Sequence, residues 1–248
     1  MKLRDKVFVI TGAGSGIGRS TAKKLASEGA IVVSTDINES TAKETTELIQ
    51  GKGGKSSYYR VDVSNNLEVR EMIENVVEKN GTLNGIFNNA GIAINKPFLE
   101  HDPETYHKVI NVDQHGVYYG MYYAAKKMVE LGVKGTIVNT ASIYGYSAAI
   151  GTFGYHAAKG AIIMMTKSGA LELAQYGIRV VGVAPGFVQI PLFSGDSAKI
   201  KHFGSQHMRK AMIMPEKVAD VVLFLFNEES EAINGQTIPV DDGFLSYK

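Results

Sequence analysis

Hydrophobic and polar positions along this chain fall into alternating blocks. Short continuous apolar runs, the mark of buried strands, are followed by longer stretches with helical spacing. The strand-like runs are 6–10, 30–35, 56–61, 83–88, 135–141 and 178–184, with a closing one inside 234–243. Helical spacing runs from a glycine-rich turn to about 28, then over 38–51, 67–79, 103 to about 131, 155 to about 176, and 218–226. Residues 192–214 are polar, carry Gly195 and Gly204, and read as a loop, either a lid over the substrate or a disordered stretch. Strands alternating with helices predict a parallel sheet covered on both faces. The expected fold is α/β, a doubly wound parallel sheet of Rossmann type with about seven strands. No repeat, low-complexity tract or linker divides 1–248, so a single domain is expected.

Composition narrows the function classes. The 248 residues are 44% hydrophobic and 21% charged, and the net charge is +1. That balance gives no reason to expect nucleic acid or an anionic membrane as partner. The absence of cysteine removes disulfides, thiol catalysis and cysteine metal sites. The apolar run before Thr11 is shorter than the ~7–15 residues of a signal peptide. No stretch approaches the ~20 apolar residues of a membrane helix. A cytoplasmic protein is the expectation. Gly116 and Gly120, four apart in the long helical stretch, suggest close approach of another helix, as at a subunit contact.

Ligands of such sheets bind beyond the carboxyl ends of the strands. After the first strand comes Thr11-Gly-Ala-Gly-Ser-Gly-Ile-Gly18, opening a helix. Glycines let backbone approach a pyrophosphate, and a helix N-terminus offers it free N–H groups. Gly12, Ser15, Gly16, Ile17 and Gly18 are therefore candidate cofactor contacts. The second strand ends in Asp36, whose carboxylate suits ribose hydroxyls and repels a 2′-phosphate. Residues 37–39 are Ile-Asn-Glu and position 13 is Ala, so no cation waits there for that phosphate. The reading is NAD(H) in preference to NADP(H).

The chemistry is placed in the second half. Tyr-x-x-x-Lys occurs three times, as Tyr122/Lys126, Tyr123/Lys127 and Tyr155/Lys159. Residues four apart on a helix share a face, and an ammonium beside a phenol favours the tyrosinate. Only the third pair follows an apolar strand and a small-residue loop, with Ser142 at the strand's end. Ser142, Tyr155 and Lys159 together read as a proton-transfer site for an oxygen on carbon. The six histidines show no metal-binding spacing, and no metal is expected.

The loop Thr11-Gly-x-x-x-Gly-Ile-Gly18, with Ser142, Tyr155 and Lys159 in this order, resembles the short-chain dehydrogenase/reductase family over nearly the whole chain. That resemblance implies a hydride transfer between NAD(H) and a carbonyl or secondary alcohol. By resemblance, Asp62 and Val63 lie along the adenine, and Lys159 holds the nicotinamide ribose. Asn89, Ala90 and Gly91 form a turn on the adenosine side, either in direct contact or simply as an Asn/Gly turn. Asn111, set among apolar neighbours, is implied to hold a water next to Lys159, with a backbone-bonded structural amide as the alternative. Pro185, Gly186 and Val188 are implied near the nicotinamide. Ile190 departs from the usual threonine, and Asp242 stands where a second glycine is usual. A homotetramer is also implied.

Ser142, Tyr144, Tyr155 and Phe187 are the candidate substrate residues, with Tyr146, Leu192 and Phe193 nearby in sequence. They suggest an uncharged, fairly apolar ketone or alcohol. A 3-oxoacyl-carrier-protein reductase, a sugar or polyol dehydrogenase, and a non-enzymatic NAD(H)-binding regulator stand as alternatives.

Overall fold

A computed structural model describes residues 2–191 and 195–247. Seven parallel strands form one sheet: β1 (Val7–Thr11), β2 (Ile31–Asp36), β3 (Lys55–Arg60), β4 (Gly85–Asn88), β5 (Thr136–Thr140), β6 (Arg179–Pro185) and β7 (Thr237–Val240). Their spatial order is β3-β2-β1-β4-β5-β6-β7. Each strand pairs in parallel with its neighbour, as in the register Val7↔Ile31 and Gly85↔Thr136. The order reverses between β1 and β4, which opens a crevice at their carboxyl ends. This is the doubly wound sheet that the alternating pattern predicts, with strand ends displaced by one or two residues.

Side chains alternate across the sheet because successive strand residues face opposite ways. Val7 and Val9 of β1 join one core, and Phe8 and Ile10 join the other. The first core packs against α3 (Asn66–Asn80), α5 (Gly116–Glu130) and α6 (Phe153–Leu173). The second packs against α1 (Gly16–Ser27), α2 (Glu39–Gln50) and α8 (Pro215–Phe226). Helix starts follow ordinary capping: the Asn38 and Asn65 side chains accept the N–H groups of Ser40 and Leu67.

Three findings depart from the sequence pattern. The helical stretch expected over 103–131 is divided. It contains α4 (Pro103–Val109), a π-helical segment Ile110–His115, and then α5. Helical periodicity alone does not register one widened turn. The polar stretch beyond 192 contains α7 (Ser197–Gly204), whose N-cap Asp196 accepts the N–H of Lys199. Leu192 and Phe193 lie outside the described residues. Finally, Gly116 and Gly120 serve packing within the chain. A Cβ on Gly116 would stand 2.9 Å from Val63, and one on Gly120 would run into the Asn88 side chain. A short helix α9 (Phe244–Tyr247) follows β7.

Candidate active site

The glycine turn after β1 and the asparagine turn after β4 are stitched together. Thr11 Oγ1 accepts the N–H groups of Asn89 at 2.9 Å and Ala90 at 3.1 Å. In return, Asn89 Nδ2 donates to the Thr11 carbonyl at 3.0 Å. Gly12 has φ +64°, and a Cβ there would meet Ala90 Cα at 2.9 Å, so both conformation and space require glycine. The Asn89 amide is thus engaged in holding the glycine turn. Ser15 precedes α1 without a side-chain cap, leaving N–H groups of the first turn, at Gly16, Ile17 and Gly18, without a capping side chain.

Asp36 closes β2 beside this turn. Its Oδ2 accepts the Gly14 N–H at 2.9 Å, and its Oδ1 accepts the Asn38 N–H at 3.0 Å. Those bonds fix the carboxylate and leave each oxygen further lone-pair capacity. The nearby cation Arg19 is turned elsewhere, with bonds to Glu44 at 3.1 and 2.6 Å and to Thr45 at 3.0 Å. A bare glycine turn, an uncapped helix start and a fixed carboxylate fit a dinucleotide. After β3, Asp62 Oδ1 accepts both the N–H and the hydroxyl of Ser64, at 2.9 and 2.7 Å. Val63 is buried beneath Gly116.

The candidate chemistry lies beyond β5. Ser142 is nearly buried, and its Oγ accepts the Tyr144 N–H at 3.1 Å, capping a short 3-10 turn, Ile143–Gly145. Accepting that bond leaves the hydroxyl proton available to donate. Tyr155 and Lys159 share one face of α6, with Nζ 5.2 Å from the phenol ring centre. Lys159 is buried, and its Nζ donates to the Thr140 carbonyl at 3.0 Å. The other two Tyr-x-x-x-Lys pairs lie on α5, where Tyr122 is 48% exposed and Lys127 pairs with Glu130 at 2.7 Å.

One expectation is corrected. Asn111 points to solvent, and the side chain that reaches Lys159 is Asp113, with Oδ2 3.2 Å from Nζ. Both residues lie in the π-helical segment. Residues two apart on a helix point to opposite sides, so only one of them can face α6. A widened turn re-aims side chains, and here Asp113 is the one turned inward. Oδ1 of Asp113 accepts the Ile92 N–H at 2.8 Å. Gly91 stands against it, where a Cβ would lie 2.8 Å from Oδ2. Burial pushes the Asp113 carboxyl above its ordinary range, against the pull of the Lys159 charge. Burial alone would lower the Lys159 ammonium, but the charges of Asp113 and Tyr155 more than reverse this and raise it.

Aromatic side chains wall the other side of the site. Tyr144 meets Tyr155 and Phe187 edge-on, with ring centres 6.5 and 5.9 Å apart. Phe187 in turn packs on Phe203 of α7 at 4.7 Å. Burial first, and then Tyr155, push the Tyr144 phenol above its ordinary value. Pro185 ends β6 and leads through Gly186 to buried Val188, while Ile190 packs toward Gly16. His207 holds this segment and was not legible in the sequence as a site residue. It is buried, its Nε2 accepts the Phe187 N–H at 3.1 Å, and its Nδ1 lies 2.7 Å from the Ala211 carbonyl. An isolated histidine in a polar stretch carries no signal of such a partner. Asp113 was equally hidden, since its spacing from Lys159 belongs to no motif.

Among the described residues, no cluster of three or more His, Asp or Glu side chains is arranged for a metal, and no helix is long and apolar enough to cross a membrane.

Comparison with known proteins gives a consistent result. Residues 12–245 match a family model described as enoyl-(acyl carrier protein) reductase. A short-chain dehydrogenase reductase 3c of Arabidopsis thaliana is 38% identical, over all of this chain (100%) and 97% of that protein. A cyclohexanol dehydrogenase of Acinetobacter sp. (strain SE19) is 36% identical, over 99% and 97% of the two chains. The solved structure of levodione reductase superposes with a TM-score of 0.94 at 29% identity, covering 99% of this chain and 100% of that one.

Proposed function

The chain belongs to the short-chain dehydrogenase/reductase family, and from that premise we propose that it is an NAD(H)-dependent oxidoreductase of an uncharged, largely apolar ketone or secondary alcohol. Members of this family bind a nicotinamide cofactor and act on alcohol or carbonyl groups, so the reaction class is that of an oxidoreductase. The observation that carries the proposal is Lys159 Nζ held 5.2 Å from the Tyr155 ring, with Tyr144, whose N–H Ser142 accepts, edge-on to that ring beyond the carboxyl end of β5.

A bound nicotinamide supplies or accepts the hydride. In the reducing direction, Ser142 donates its hydroxyl proton in a hydrogen bond to the substrate oxygen. Tyr155 delivers a proton to that oxygen as the negative charge develops. Lys159, held by the Thr140 carbonyl, places a positive charge beside the phenol. By the family resemblance it would also hold the nicotinamide ribose. In oxidation the same proton moves the other way. Gly12, Ser15, Gly16, Ile17 and Gly18 would cradle the pyrophosphate, with Asp62, Val63, Ala90 and Gly91 on the adenosine side and Pro185, Gly186 and Val188 near the nicotinamide.

Asp36 supports NAD(H) over NADP(H). Its fixed carboxylate repels a 2′-phosphate, and Arg19 is already bonded to Glu44 and Thr45. The walls formed by Tyr144, Phe187 and Phe203 are apolar and aromatic, which suits a carbon skeleton better than a sugar.

The test is turnover with a panel of ketones, acyl thioesters and keto-sugars, with NADH and again with NADPH. Reduction of an apolar ketone with NADH is expected. Turnover confined to NADPH and acyl thioesters would replace this reading with an acyl-carrier-protein reductase. The Tyr155→Phe variant should bind NADH yet lose roughly 10²–10⁴-fold in turnover. Unchanged turnover in that variant would refute the assignment of the proton donor.

A further inference from the structure

The candidate site contains a carboxylate where the resemblance implied a neutral amide. Asp113 and Lys159 form an ion pair, and their side chains are 0% and 3% exposed. Burying a carboxylate is costly unless a cation and hydrogen bonds compensate it. Here the surroundings are built for it. The π-helical turn aims the side chain inward, Ile92 donates its N–H to Oδ1, and glycine at 91 leaves the space beside Oδ2. Among the described residues, Oδ2 has no hydrogen-bond partner besides the contact with the ammonium.

The charges around the phenol decide what this pair does. Tyr155 is faced by Lys159 on its own helix and by Tyr144 from the turn after β5. Lys159 is faced by Asp113 from the π-helical segment and by the Thr140 carbonyl of β5. Behind Tyr144 stands His156, whose Nε2 receives the Ala149 N–H and whose proton affinity burial lowers. His207, behind Phe187, is bonded to Phe187 and Ala211. The formal charges in these contacts are those of Asp113 and Lys159, and they cancel.

We propose that Asp113 is a positioning residue of the proton-transfer site, acting through Lys159: its carboxylate balances the buried ammonium, so that Tyr155 is kept in the proton-donating form that carbonyl reduction uses. This rests on the reading of Tyr155 as the proton donor. A lysine alone pulls a neighbouring tyrosine toward tyrosinate, and an amide at position 113 would leave that pull uncompensated. The carboxylate cancels much of it in a site where burial weakens solvent screening.

The decisive variant is Asp113→Asn, because an asparagine oxygen still accepts the Ile92 N–H and only the charge is lost. The readout is the pH dependence of kcat/KM for alcohol oxidation and for ketone reduction, with Asp113→Glu as the charge-retaining control. In Asp113→Asn the acid limb of oxidation should move to lower pH by about one unit. That raises oxidation about tenfold at a fixed pH on that limb. The alkaline limb of reduction should move the same way. Asp113→Glu should keep the wild-type limbs even if its rates fall.

An unmoved profile, with only stability lost, would overturn the proposal in favour of a structural ion pair. An alkaline displacement would also overturn it, showing that Asp113 serves to keep Lys159 protonated. Should Asp113→Asn fail to fold, Asp113→Ser carries the same expectation, and failure of both would leave a structural role and overturn the proposal. Tyr155→Phe separates the two readings. Full turnover there refutes the proton donor itself, whereas an inactive Tyr155→Phe with an unmoved Asp113→Asn profile refutes only the role of Asp113.

Discussion

Replacing Gly18 with alanine tests how tightly the glycine turn is held. An added methyl would lie 2.7 Å from the Gly12 carbonyl carbon and 2.8 Å from Asn89 Nδ2, and nearer still to the Gly12 carbonyl oxygen. Ordinary contact begins at 3.4 Å, so clearing the carbonyl oxygen takes the turn away from α1 by more than about 1 Å. The turn cannot yield alone, because Asn89 and Ala90 bind it to the end of β4. Overpacking of this kind costs about 1–3 kcal/mol. In a chain of this size that lowers Tm by roughly 2–12 °C. The same displacement moves the backbone that would cradle a pyrophosphate, and misplacement by about 1 Å is enough to cost ~10²-fold in rate.

Calorimetry and NADH fluorescence titration read the two effects in one preparation. Gly160→Ala is the control. It sits within α6, its added methyl would find only the Gly145 carbonyl at 3.8 Å, and alanine there should stabilise by about 0.5–1 kcal/mol. A Gly18→Ala variant with unchanged Tm and NADH affinity would refute the reasoning, and so would equal losses in both variants.

Two further predictions concern stability away from the chemistry. Arg179 on β6 donates to the carbonyls of Leu225, Ser230 and Ile233 at 2.6, 3.1 and 3.0 Å, and to Thr136 Oγ1 at 3.1 Å. Arg179→Met keeps the stem but strands those acceptors, so urea unfolding should show a loss of about 2–3 kcal/mol; no loss would mean that water replaces the guanidinium freely. Asp102 caps α4, and its bonds from Thr105, then from Lys96, lower its carboxyl from 3.8 to about 2. A carboxyl lowered by folding stabilises above its unfolded value and loses that effect as pH falls through its folded one. The Tm gap between wild type and Asp102→Ala should therefore be full at neutral pH and shrink between pH 3.8 and about 2. A gap that persists unchanged below that range would count against the cap.

The sequence by itself determined the features that repeat locally. Apolar runs alternating with helical spacing predicted the seven-stranded parallel sheet, because burial on both faces leaves a continuous apolar signature in the central strands β1, β4, β5 and β6, whereas the edge strands β3 and β7 are only partly buried. The glycine turn, Asp36 and Ser142 were legible as candidates because they stand at or just beyond strands' carboxyl ends, and the Tyr155/Lys159 pair because its spacing puts both on one helix face. The tertiary structure decided what depends on contacts between distant segments. It placed Asp113 rather than Asn111 against Lys159, since one π-helical turn changes which side chain faces α6 and leaves no trace in composition. It turned Gly116 and Gly120 toward Val63 and Asn88 within the chain. It also buried His207 under Phe187, 20 residues away, where no local pattern could show it. Local periodicity sets which elements form, whereas the partner of a buried charge is set by packing between elements that the sequence does not place side by side.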